Sequence, residues 1–126
     1  MAETIYCIQV EPEARYSEEQ SDVAQDVYVF HYRIRITNLG SAPAQLISRH
    51  WVITDANDQV QEVRGMGVVG EQPRLEPGES FEYSSTTSLK TPYGSMRGRY
   101  HLTADDGTRF EADIPEMTLV ARRVLH

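Results

Sequence analysis

The sequence is short of several things, and each shortage removes a class of protein. It holds one cysteine, Cys7, so no disulfide can close within the chain, and a reducing compartment suits it best. No stretch approaches the ~20 apolar residues that span a bilayer. Met1-Ala2-Glu3-Thr4-Ile5 lacks the basic start and apolar run of a secretory leader. Both absences point to a cytoplasmic protein that makes no use of a membrane. Positive charge is in the minority, with 12 Lys and Arg against 19 Asp and Glu and a formal net charge of −7. Such a surface repels phosphate backbones. The densest basic pairs, Arg33/Arg35, Arg97/Arg99 and Arg122/Arg123, are too small for a nucleic-acid footprint.

A sustained helical stripe is also missing; what the chain has instead is alternation. Tyr28, Phe30, Tyr32, Ile34 and Ile36 alternate with Val29, His31, Arg33, Arg35 and Thr37, the period-two pattern of a half-buried strand. Further strands are expected over residues 4–10, 45–55 and 59–64, around Phe81-Tyr83-Ser85, over Met96–Leu102 and around Phe110–Ile114. In the second of these, Trp51 shares a face with Ile47 and Ile53, and His50 lies on the other with Ser48 and Val52. Turn formers separate the strands: Asn38-Leu39-Gly40-Ser41-Ala42-Pro43, Ala56-Asn57-Asp58, Pro77-Gly78 and Asp105-Asp106-Gly107. Glu11–Gln25, acidic and containing Pro12, reads as a long loop, Thr86–Gly94 as a polar one, and Glu116–His126 as a final strand or a loose tail.

The fold class is therefore all-β. An immunoglobulin or fibronectin type III-like antiparallel sandwich of about seven strands is expected, as one domain over residues 1–126 with its core over about 5–120. Tyr100 falls where such domains carry a tyrosine corner, its hydroxyl bonded back to nearby backbone.

Gly65-Met66-Gly67-Val68-Val69-Gly70 has the glycine spacing of a dinucleotide fingerprint. That fingerprint works by opening a helix whose first amides hold a pyrophosphate. Pro73, Pro77 and Gly78 follow too soon for a helix, and no Gly-Lys-Ser/Thr occurs. Two readings stay open. The glycines allow a bulge or close strand approach, or their amides form an anion-binding nest helped by Arg64 or Arg74.

Other chemistry is thin. His50 and His101 are weak metal candidates, expected on the solvent faces of neighbouring strands but without ligand spacing. The hydroxyls of Ser84–Ser88 lack a nucleophile elbow. Cys7, in an apolar strand, is expected to be a buried inert thiol. No cofactor is implied, and an enzyme is not expected.

The blocks Phe30-x-Tyr32-x-Ile34-x-Ile36-x-Asn38 and Ser48-Arg49-His50-Trp51-Val52-Ile53-Thr54-Asp55 resemble the opening blocks of the ApaG family. Gly65–Pro73 with Leu75-x-Pro77-Gly78-Glu79 is similar to its central block. Thr91-Pro92-x-Gly94-x-Met96-x-Gly98-x-Tyr100 and Phe110-x-x-x-Ile114-Pro115 are similar to its closing ones. The likeness runs from about Ile5 to Val120, with departures at Asp58, Thr86 and Met117. The resemblance implies a fibronectin type III-like sandwich. It also implies small bacterial proteins often encoded beside a diadenosine tetraphosphate hydrolase, and links to cobalt tolerance and magnesium flux. Eukaryotic relatives join the domain to an F-box protein and to a polymerase-delta-interacting protein, which implies protein interaction; the family's glycine motif has been read as pyrophosphate-binding. The expectation is a non-enzymatic module that binds another protein or forms a homodimer. The alternative is a nucleotide or pyrophosphate binder using Gly65, Gly67, Gly70, Arg64 and Arg74.

Overall fold

In the computed structural model, which describes residues 5–121, eight strands form two antiparallel sheets. β1 (Ile8–Asp22), β2 (Val27–Asn38) and β6 (Ser80–Leu89) make a three-stranded sheet in the order β1-β2-β6. β3 (Ala44–Asp55), β4 (Val60–Met66), β7 (Tyr93–Ala104) and β8 (Arg109–Val120) run in the order β4-β3-β7-β8. The two-residue β5 (Arg74–Leu75) pairs with the start of β3. The expected antiparallel sandwich is thus present, with eight strands where about seven were expected. Among the described residues no helix is long and apolar enough to cross a membrane.

Alternation explains the core. Phe30, Tyr32, Ile34 and Ile36 on β2 fall every second residue and are buried, as are Met96, Tyr100 and Leu102 on β7. Each such side chain contributes roughly 1.5–3 kcal/mol when fully buried. β1 and β8 pack together along one flank of the sandwich. The opposite flank, between the edges β4 and β6, is where one of the two clefts described below opens.

Several expectations need correction. Glu11–Gln25 is no long loop: β1 continues to Asp22, in register with β2 from Ile8 opposite Asn38 to Ser17 opposite Val29, before a short 3-10 turn at Val23–Gln25. Pro12 is tolerated because an edge strand has one side with no ladder to serve. The polar loop expected from Thr86 shrinks to Lys90–Pro92, because β6 runs on to Leu89 and β7 begins at Tyr93. The tail through Val120 is strand, and Pro115 sits at a register shift between β7 and β8; residues 122–126 lie outside the described residues.

In β3 the register shifts between Leu46 and Ser48, so Ile47 is an extra residue. Such a bulge re-aims the side chains beyond it. Ala44 and Leu46 are buried before it, Trp51 and Ile53 after it, and Ile47 is not on the Trp51 face. Cys7 is half-buried rather than buried. Tyr100 stands deep in β7, and its hydroxyl meets that of Tyr83 on the other sheet; no tyrosine corner forms.

Candidate functional site

The glycine stretch is a strand end and a tight hairpin. Gly65 on β4 pairs opposite Arg49 on β3, and a Cβ there would lie 2.7 Å from Arg49 Nη1 and 2.8 Å from Cζ. Gly65 is the floor on which the guanidinium rests. From there Arg49 Nη1 donates to the carbonyls of Met66 at 3.2 Å and Gly67 at 2.8 Å.

Gly67 has φ +64°, and a Cβ would sit 2.3 Å from the Glu71 carbonyl oxygen. Val68 and Glu71 exchange backbone hydrogen bonds of 2.8 and 2.9 Å around Val69 (φ 43°) and Gly70 (φ 82°). Two central residues with positive φ make a type I′ turn, which suits a hairpin and favours glycine. The amides of Gly67, Val68 and Glu71 already donate to the carbonyls of Ile47, Glu71 and Val68.

Arg64 and the two histidines gather on the outer face of the larger sheet. His50 pairs opposite Arg64 on β4 and Arg99 on β7, and His101 pairs opposite Ser48. With Gly65 these side chains line an open pocket of about 680 Å³. Glu62 lies 3.7 Å from both His50 Nε2 and Arg64 Nη2, while Glu111 lies 3.4 Å from Arg99 Nη1 and 3.5 Å from His101 Nδ1. The histidines share a face, as expected, but each faces its own carboxylate. Among the described residues no three His, Cys, Asp or Glu side chains gather as a metal site.

Arg74 does not join this group. It sits on β5, pairs with Asp105, and reaches Glu76 at 2.7 Å. The Arg74 hydrogen bond holds the Asp105 carboxyl below the usual carboxylate range.

A second cleft, of about 250 Å³, opens between β4 and β6 on the inner side of the sheets. Arg49, Trp51, Val63, Tyr83, Thr87 and Met96 are among the residues that line it. The Tyr83 and Tyr100 hydroxyls are hydrogen-bonded nearby, and burial pushes both phenols up. Trp51 is 2% exposed, meets Tyr32 edge-on at 5.6 Å between ring centroids, and has a buried indole Nε1 without a hydrogen-bond partner among the described residues. A buried donor left unpaired costs roughly 1–3 kcal/mol. Sequence reasoning missed Arg49. Its signal was parity: Arg49 is in phase with Trp51 and Ile53, so a cation points to the core side exactly where a glycine faces it.

Fold and clefts together define a small all-β sandwich with two polar openings on its β4 side. The ApaG domain family matches residues 18–104. Protein ApaG of Chromobacterium violaceum is 71% identical over 126 residues, covering 100% of both chains. Protein ApaG of Dechloromonas aromatica is 57% identical over 121 residues, covering 96% of this chain and 95% of its own. Among solved structures, the putative ApaA protein of Bordetella pertussis superposes with a TM-score of 0.92 at 54% identity, covering 98% of this chain and 100% of that one. The chain belongs to the ApaG domain family.

Proposed function

We propose that the protein is a non-catalytic binding module that takes a segment of another protein along the free edge of β6. One observation carries this reading. β6 is a ten-residue edge strand whose only sheet partner among the described residues is β2. Edge strands are usually blunted by charge, proline or bulges. β6 has no proline, keeps register with β2 from Ser80 to Leu89, and carries a single charged residue, Glu82, neutralised by Arg33 at 3.1 Å. Its open backbone groups offer the hydrogen bonds of an added strand.

The test compares affinity capture by the wild type and by Ser84→Lys/Thr86→Lys, two exposed positions whose charge blunts the edge without entering the core. A protein held by the wild type and lost by an equally stable variant supports the reading; identical capture by both overturns it. A second copy on β6 is the homodimer version, visible as concentration-dependent sedimentation.

A second reading, binding of a phosphate or nucleotide, is favoured by the pocket that brings Arg64, Arg99, His50 and His101 beside Gly65. It relies on side chains more than on glycine amides, since the amides of Gly67 and Val68 are already bonded. A backbone-amide NMR titration with pyrophosphate and ATP, with and without Mg²⁺, tests it. Saturable shifts around this pocket support it, and a flat response at millimolar ligand means binding weaker than about −4 kcal/mol.

A further inference from the structure

The mouth between β4 and β6 collects hydrogen-bond donors without a negative charge to meet them. Arg49 spends Nη1 on two carbonyls, and among the described residues its Nε and Nη2 make no hydrogen bond and no carboxylate lies within ion-pair distance. A guanidinium has five N–H donors in a fork that fits a carboxylate. Trp51 lines the same cleft, and its indole Nε1, buried behind that wall, has no hydrogen-bond partner among the described residues. Ser85 and Thr87 add hydroxyls from β6, and Val63, Val68 and Met96 make the remaining wall apolar.

We propose that this cleft is a receptor for a carboxylate carried on a short apolar stem. The carboxylate oxygens accept from Arg49 and from the Trp51 indole, and the stem lies against Val63, Val68 and Met96. About 250 Å³ accommodates a group of this size. The carboxylate has two sources: a free short-chain acid, or an acidic side chain of a protein strand laid on β6. The second deepens the protein-binding reading and rests on it. The chemistry itself is tested without a partner, so the two ideas fail separately.

Trp51 is the only tryptophan in the chain, so an ¹H–¹⁵N spectrum of the full-length protein contains one indole N–H. Butyrate is expected to move that resonance downfield in a saturable manner, butyramide to leave it in place, and Arg49→Gln to abolish the response. If R49Q does not give a dispersed spectrum, Arg49→Lys keeps the charge and loses the fork, and at least a several-fold weaker response is expected. An indole resonance that is unmoved by butyrate, equally moved by butyramide, or still responsive in folded R49Q overturns the proposal. An indole N–H already spent on the Tyr32 ring gives the unmoved result. A short extended peptide with a central glutamate, compared with its glutamine twin, then identifies the source. Shifts of β6 amides with the glutamate peptide point to a protein strand, and butyrate binding without them points to a free acid.

Discussion

The hydroxyls of Tyr83 and Tyr100 meet across the two sheets, each the other's hydrogen-bond partner in the core. Replacing either by phenylalanine leaves one buried hydroxyl alone, at a cost of about 1–2 kcal/mol, while the double replacement is expected to cost less than the sum. Urea unfolding of the two single variants and the double variant measures the coupling. Strict additivity would mean the bond contributes nothing of its own.

The same pair predicts behaviour in alkali. Burial is the main cause that raises both phenol pKa values, so both stay protonated in the folded state when an unfolded tyrosine ionises near ~10. A folded pKa above the unfolded one gives stability that is whole below pH ~10 and is lost as pH rises beyond it. Absorbance titration at 295 nm should show these two of the seven tyrosines ionising only as the protein unfolds.

Three glycines of one stretch are predicted to differ sharply when changed to alanine. At Gly67 both the positive φ and the Glu71 carbonyl at 2.3 Å oppose a Cβ, so a loss of about 2–4 kcal/mol is expected. Gly70 has φ +82° and open space, so about 1 kcal/mol is expected. At Gly65 the obstacle is the movable end of Arg49, so the fold should survive while the guanidinium is displaced. Chemical denaturation ranks them; an equal cost at all three would contradict these roles.

Asn38, 1% exposed, donates from Nδ2 to the Ala42 and Leu75 carbonyls at 2.9 and 3.0 Å and accepts from the Gly40 amide at 2.9 Å. Asn38→Ala removes all three bonds, leaving the Gly40 amide only its 3.1 Å bond to the Cys7 carbonyl, and is expected to cost about 2–4 kcal/mol. Asn38→Asp should cost a similar amount, because it removes both donated bonds. Thermal denaturation of the two variants checks this.

At low pH the Arg74–Asp105 pair is expected to show. The Asp105 carboxyl is held down first by its hydrogen bond from Arg74, so its contribution is present above the unfolded value near ~3.9 and fades as pH falls through the lower folded value. Asp105→Asn should therefore flatten the acid limb of the melting-temperature profile. It should do so modestly, since both side chains are nearly half exposed.

Most of the sandwich was legible because buried strands advertise themselves: the phase of Phe30, Tyr32, Ile34 and Ile36 survives intact from sequence to core. β1 was legible only at its start, over Ile8–Val10; its continuation from Glu11 was not, because an edge strand buries little and its outward side is acidic. Val10, Ala14 and Tyr16 do keep the phase, but Pro12 reads as a break unless the strand is known to be an edge. The glycine stretch could be denied a helix from sequence, yet its hairpin depends on Val69 taking a positive φ, which nothing in a valine announces. His50 and His101 were placed on the correct face; Arg49 was overlooked because its meaning lies in the glycine opposite.

The bulge at Ile47 gives β3 two reading frames. Before it even-numbered positions face the core, and after it odd-numbered ones do. A chain that lost this one residue would have to choose a single frame, leaving either Ala44 and Leu46 or Trp51 and Ile53 turned to water. One isoleucine thus acts as punctuation: what it sets is the count of residues along β3, not the chemistry of any one of them.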